Sequence, residues 1–151
     1  MMFASRFRVL VLLAPFTLAG CLLPFTAPDP AAADLARGIE NDARQFYAEL
    51  AAAPPPQCAY AANENFYDRL HSAAAALRDH LAQRGASPAA QRAGEAMLRL
   101  SDDVRASHQA ASVRLDDQHG PCMAPQAIAL NADAVARAAA AVVSANSQGG
   151  E

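Results

Sequence analysis

The chain has 151 residues, enough for one domain, and a formal net charge of −3. All 12 basic residues are arginine, and 15 acidic residues outnumber them. Because the chain has no basic excess, no Trp and only 6% aromatic residues, it lacks the charge and stacking surfaces typical of nucleic-acid-binding proteins. We therefore expect no nucleic-acid partner. Alanine is the most frequent residue, and this composition favours helices over strands.

The first residues have the pattern of an export signal. Residues 1–8 contain Arg6 and Arg8 but no acid, and residues 9–19 are uncharged and mostly apolar. A basic start and a short apolar core, followed by small residues, are typical of a secretory signal peptide. The alternative is an uncleaved transmembrane anchor, because residues 9–28 are uncharged and just long enough to span a bilayer. Prolines and a glycine interrupt that stretch, which favours the signal peptide.

The segment ends in Leu18, Ala19, Gly20 and Cys21. These four residues resemble the lipobox of bacterial lipoproteins. The resemblance implies that a diacylglycerol alkylates the Cys21 thiol, that a signal peptidase cuts before Cys21, and that a fatty acid such as palmitate acylates the new amine. Several acyl chains hold a protein firmly, at about 0.8 kcal/mol per buried methylene. In the family, Asp after the cysteine retains the protein at the inner membrane. Leu22 stands there, which implies anchoring at the outer membrane, facing the periplasm.

These assignments divide the chain into four parts. We expect a signal peptide over residues 1–20, the lipidated cysteine and a linker over 21–28, a folded domain over 29–145 and a flexible tail over 146–151. Removal of the signal peptide with its two arginines takes the net charge from −3 to −5. The linker can extend about 20 Å at about 3 Å per residue, so the domain should lie near the membrane surface.

Helical periodicity predicts the architecture of the domain. Asp29 followed by Pro30 is a helix start, with Asp as N-cap and Pro at the first helical position. Apolar residues then recur with helical spacing, and no alternating pattern indicates a strand. The predicted helices span about residues 29–53, 59–84, 87–119 and 125–145. Short connections between helices of similar length give antiparallel neighbours, so we predict an all-α, up-down-up-down four-helix bundle.

Two cysteines remain for the domain. Cys58 lies just before the second helix, and Cys122 lies just before the fourth. In an up-down-up-down bundle these helices start at the same end, and the exported compartment is oxidising. We therefore predict a Cys58–Cys122 disulfide. A redox-active thiol pair is the alternative, but the C-x-x-C spacing of such pairs is missing.

The histidines offer two candidate sites. Glu64, Asp68 and His71 share one face of the second helix, and Asp68 and His71 have the carboxylate-x-x-His spacing of di-metal bundles. The further inward-facing carboxylates of such bundles are not evident, so an ordinary solvated face is favoured over a metal site. His108 lies on the apolar side of the third helix. It either contacts a ligand or is buried and neutral, with Asn131 as partner, and we favour the second interpretation.

Aromatic residues suggest an interaction surface. Phe46 and Tyr47 are neighbours, as are Phe66 and Tyr67. Adjacent residues of a helix point about 100° apart around its axis, so the two rings of a pair cannot both point to the centre of the core. We expect exposed rings to contribute to a binding surface. The alternative is that the second ring of each pair covers an edge of the bundle.

No catalytic motif is recognisable: the sequence has no nucleophile elbow, no phosphate loop and no zinc-binding helix motif. We therefore expect a non-enzymatic protein without a cofactor. The predicted function is that of a lipid-anchored binding protein of the periplasm, whose partners are the membrane and another envelope protein. The alternative is a carrier of a small ligand or metal in the bundle interior.

Overall fold

The structure is a computed structural model that describes residues 27–113, 120 and 122–148. It contains four helices: α1 (Pro30–Ala52), α2 (Tyr60–Gln83), α3 (Pro88–Val113) and α4 (Pro125–Gln148). Within these residues β structure is limited to isolated bridges, one of them joining Ala59 and Cys122. The prediction of an all-α domain is confirmed. Residues 1–26, including Cys21, lie outside the described residues.

The helices form the predicted antiparallel bundle. Helix α1 packs most extensively against α4, and α2 against α3, whereas α1 and α2 have the smallest shared surface. The bundle has two ends. We call the end where α1 and α3 finish and α2 and α4 begin the disulfide end. The opposite end, where α1 and α3 begin, is the Asp29 end.

Small residues let the helices approach closely. The core side of α1 includes Ala36 and Ala43, both almost fully buried, and α2 contributes Ala74. A Cβ atom added to Gly94 of α3 would lie 2.8 Å from Cδ1 of Leu81 and 3.4 Å from Cα of Arg78 on α2, so these two helices pass close together here. Close helix approach at small residues thus fills part of the core, beside large buried side chains such as Tyr47, Leu77 and Met97.

Helix boundaries follow the predicted signals with one correction. Asp29 caps α1 as expected, accepting hydrogen bonds from the backbone N–H groups of Ala31 and Ala32. Gly85 ends the second helical segment with a φ of 61°. The fourth helix continues to Gln148 instead of ending near residue 145, because Asn146 is buried and bonded to the start of α1. The predicted end of the third helix, residues 114–119, lies outside the described part.

Among the described helices, α4 is the one that is long and apolar enough to cross a membrane. Ile128, Val135 and Val142 of this helix are buried in the bundle, whereas Leu130 is 63% exposed. The same apolar composition is required of a helix that packs in a protein core.

Candidate functional site

The predicted disulfide is present. Cys58 and Cys122 are bonded across 64 residues, with 5.1 Å between their Cα atoms. The bridge joins the start of α2 to the segment that leads into α4, and Cys58 is almost completely buried. It closes the disulfide end of the bundle covalently.

A chain of buried polar groups lies beside the disulfide. The Nε2 atom of His108 is 2.9 Å from the backbone oxygen of Cys58, and its Nδ1 atom is 2.8 Å from the hydroxyl of Tyr67. A carbonyl oxygen can only accept a hydrogen bond, so Nε2 carries the hydrogen and donates a hydrogen bond to the backbone oxygen of Cys58. In the neutral ring Nδ1 then accepts from Tyr67. His108 therefore ties α2, α3 and the disulfide segment together.

Burial keeps these groups neutral. His108 is fully buried, and desolvation lowers its pKa, while the bond to the Cys58 oxygen partly opposes this shift. Burial also raises the pKa of Tyr67 far above its ordinary value and the pKa of Tyr47 to about 12. All three side chains are therefore uncharged at neutral pH.

His108 does not pair with Asn131, contrary to the sequence-based expectation. The ring uses both nitrogens on Tyr67 and Cys58, and the Asn131 amide lies 3.5 Å from the hydroxyl of Ser107. The expectation of a His108–Asn131 pair rests on both residues being polar and lying on apolar helix faces. In the structure the Tyr67 hydroxyl of α2, and not the Asn131 amide, is the partner of His108 Nδ1.

The four candidate interaction aromatics are mostly inside the bundle, which corrects the expectation of exposed rings. Tyr47, Phe66 and Tyr67 are buried, and Phe46 is half-buried. The rings of Phe46 and Phe66 stack with 3.5 Å between their centroids, and both contact Tyr67 edge-on. The adjacent rings are all largely shielded from solvent because the rings of α1 pack against the rings of α2.

One hydroxyl in this cluster makes no well-aligned hydrogen bond. Tyr47 is 1% exposed, and within the described part of the chain its hydroxyl has no partner at normal hydrogen-bond distance and angle. The side chains of Tyr67 and Asn131 still lie close enough to oppose part of the rise in its pKa. This oxygen therefore contributes less to the fold than a well-aligned hydrogen bond does. The contrast with Tyr67, whose hydroxyl is bonded, provides a matched pair for experiment.

The weak metal candidates do not converge. Asp68 is ion-paired with Arg105 at 2.8 Å, His71 is bonded to Asp102 at 2.8 Å, and His108 lies in the interior. Glu64 is exposed. Over residues 27–113, 120 and 122–148 no three His, Cys, Asp or Glu side chains form a group that fits a metal ion. Asp68 and His71 thus link α2 to α3 instead of facing each other.

The Asp29 end holds a second network, which the sequence did not reveal. One carboxylate oxygen of Asp29 caps α1, and the other lies 2.7 Å from His80 Nε2 and 3.4 Å from Arg84 Nε. The Asn146 side chain donates to the backbone oxygen of Asp29 at 2.8 Å and accepts from its N–H at 3.2 Å. One residue therefore joins α1 to the ends of α2 and α4. The Asp-Pro cap signal identified Asp29, but not its distant partners.

A surface groove runs between α1 and α2. Its deeper part encloses about 260 Å³, with Phe46, Phe66 and Leu70 in its floor. The exposed side chains of Asp42, Gln45, Glu49 and Arg69 form its rim. A shallower concavity of about 440 Å³ continues toward the disulfide end. Two of the aromatics proposed for an interaction surface, Phe46 and Phe66, therefore line a groove instead of projecting into solvent.

Comparison with protein-family models, with curated proteins and with solved structures found no match to this chain.

Proposed function

We propose that this protein is a lipid-anchored binding protein of the bacterial cell envelope. It is attached to the outer membrane through Cys21, faces the periplasm and recognises another envelope protein through the surface of its bundle. The observation that carries the proposal is the Leu18–Cys21 lipobox behind a basic and apolar leader. The Cys58–Cys122 disulfide supports it, because such bonds persist in oxidising compartments.

The position of the anchor gives the bundle an orientation. Only residues 22–28 separate Cys21 from Asp29, so the Asp29 end lies next to the membrane. Helix α1 has 23 residues and extends about 35 Å at 1.5 Å per residue. The disulfide end is therefore distal, and the α1–α2 groove lies between the two, open to soluble domains of neighbouring proteins.

A binding role has more support than a carrier role. A carrier of a metal in the bundle interior needs free ligating groups there, but the buried His108 already uses both ring nitrogens on groups of this chain. Two concavities of the described surface lie between α1 and α2. Surface grooves of this kind are suited to recognising a segment of another protein.

The test is crosslinking and co-purification of the full-length protein from the membranes of its own cells, with Cys21→Ser as control. We expect the wild-type protein in the outer-membrane fraction together with one stoichiometric partner. In the Cys21→Ser variant both the membrane attachment and most of the partner should be lost. A wild-type protein without any crosslinked partner would contradict the binding role.

A further inference from the structure

The α1–α2 groove has the dimensions of a site for an extended chain. Its two concavities share Phe46 and Glu49, and together they run from Ile39 to Pro54. Along α1 the stretch from Ile39 to Ala52 is thirteen residue steps, or about 20 Å at 1.5 Å per residue, and Pro54 lies just beyond the helix. Six or seven residues of an extended peptide cover that length at about 3.3 Å each. A compact small molecule would leave most of the groove empty.

The floor of the groove provides an apolar seat at its centre. The Phe46 and Phe66 rings stack there, and Phe46 keeps part of its surface exposed. Leu70 and Ile39 extend the apolar floor toward the Asp29 end. An apolar side chain laid over Phe46 would cover that exposed ring surface, and each square ångström of apolar area removed from water contributes about 25 cal/mol.

The rim carries acids that the fold does not use. Several exposed carboxylates of the described helices have an arginine within 4 Å: examples are Asp34, Asp68, Asp79 and Asp133. Asp42 has no such partner among the described residues, and Glu49 is contacted by the neutral Gln45. Asp42 and Glu49 are seven residues apart on α1, about 10 Å, and they lie on either side of Phe46.

We propose that this groove binds an extended segment of the envelope partner in which an apolar side chain is flanked by basic residues. The apolar side chain lies on Phe46, and the two cations pair with Asp42 and Glu49. Alternate side chains of an extended chain share a face, so the cations stand two positions before and two positions after the apolar residue. They are then about 13 Å apart along the backbone, and their long side chains reach acids that are about 10 Å apart. Arg69, on the opposite wall, donates hydrogen bonds to backbone carbonyl oxygens of the segment. This inference rests on the proposed function, and it names the surface and the chemistry of the partner.

The experiment uses the full-length, membrane-anchored protein in its own cells. The photo-crosslinking residue p-benzoylphenylalanine is placed at Gln45 on the rim or, as control, at Arg92, an exposed position of α3 outside the groove. Each is combined with D42N/E49Q, which removes both rim charges. The matched variant E64Q/D103N removes two exposed carboxylates that also lack an ion pair in the described structure and lie outside the groove lining.

We expect a protein adduct from position 45 and not from position 92. D42N/E49Q should lower its yield about three- to tenfold, as expected for two partly exposed ion pairs, whereas E64Q/D103N should not. Mass spectrometry of the adduct should identify a partner segment with Arg or Lys on both sides of an apolar residue.

Three results would overturn the groove proposal while the proposed function stands. The first is an adduct from position 92 alone, and the second is an adduct at position 45 with an acidic segment or with a second copy of this chain. The third is a co-purifying partner that neither position labels. If neither position gives an adduct and no protein co-purifies, both proposals fail.

Discussion

The two ends of the bundle are closed by different chemistry. At the disulfide end a covalent bond lies beside His108 and Tyr67, which are buried, neutral and hydrogen-bonded. At the Asp29 end a carboxylate is bonded to His80 and to the first N–H groups of α1, closer to solvent. The first end depends on desolvated neutral groups, and the second depends on charge. The proposed anchor places the charged end at the membrane and the covalent end away from it.

The largest effect is expected from removing the covalent bond. The double variant Cys58→Ser/Cys122→Ser should lose about 4 kcal/mol of unfolding free energy, the value for closing a loop of this length in the chain-entropy model. Chemical unfolding monitored by circular dichroism measures it. Reduced wild-type protein should match the variant. A loss below about 1 kcal/mol would show that the neutral groups hold this end without the disulfide.

A matched pair of tyrosine variants tests the neutral network. Tyr67→Phe leaves Nδ1 of the buried His108 without its donor and should cost about 1–3 kcal/mol. Tyr47→Phe removes a hydroxyl that makes no well-aligned hydrogen bond, so its loss of unfolding free energy should be smaller, below about 1 kcal/mol. Equal losses in both variants would contradict the assigned hydrogen bonds.

At the Asp29 end the expected loss is smaller. Asp29→Ala removes the cap of α1 and the contact with His80, and should cost about 1–2 kcal/mol. Asp34→Ala removes an exposed acid of the same helix, whose pair with Arg37 is worth little, and serves as control. Thermal unfolding of the three proteins measures the difference. If Asp29→Ala has the same melting temperature as the Asp34→Ala control, Asp29 does not join the helices as described.

Acidification should act on the two ends in separate pH ranges. Burial lowers the pKa of His108, so on acidification the unfolded chain takes up a proton near pH 6.5 before the folded chain does, and stability falls below that pH. For Asp29, burial works against ionisation, but hydrogen bonds from His80 and the Ala32 and Ala31 amides outweigh it and lower its pKa below 3.8. Its contribution is therefore present above pH 3.8 and is lost as the pH falls further.

The unfolding free energy measured from pH 8 to pH 2 separates these contributions. His108→Gln should flatten the profile between pH 7 and pH 5 and leave the acidic range unchanged. Asp29→Asn should do the reverse. A wild-type profile that is flat from pH 7 to pH 5 would contradict a neutral, desolvated His108.

The smallest effects concern two helical glycines. An added Cβ at Gly38 of α1 meets nothing within 4 Å, so Gly38→Ala should stabilise the protein by about 0.5–1 kcal/mol. At Gly94 the same change brings Cβ to 2.8 Å from Leu81 and should destabilise it. Equal melting temperatures for the two variants would contradict the close approach of α2 and α3.

Local signals in the sequence sufficed for the architecture. The Asp29–Pro30 cap and the 3.6-residue period predicted the helices, and the shared end of helices two and four predicted the disulfide. Those signals act within a few residues or follow from the topology.

The side-chain partners were less predictable, because they depend on how each helix is rotated. In α1, for example, Tyr47 is buried while its neighbour Phe46 is half-buried, and Leu35 is 39% exposed. The period alone does not fix this rotation. For the same reason Tyr67, and not Asn131, reached His108, and the role of Asp29 beyond its cap was missed.

The central claim is that the chain is anchored to the membrane through Cys21. Intact-mass spectrometry of the protein purified from its own cells tests this most directly. We predict a chain that begins at Cys21 and carries a diacylglyceryl group and an amide-linked acyl chain. The Cys21→Ser variant should lack both lipid additions and leave the membrane fraction. A wild-type chain without lipid, or one that retains residues 1–20, would contradict it.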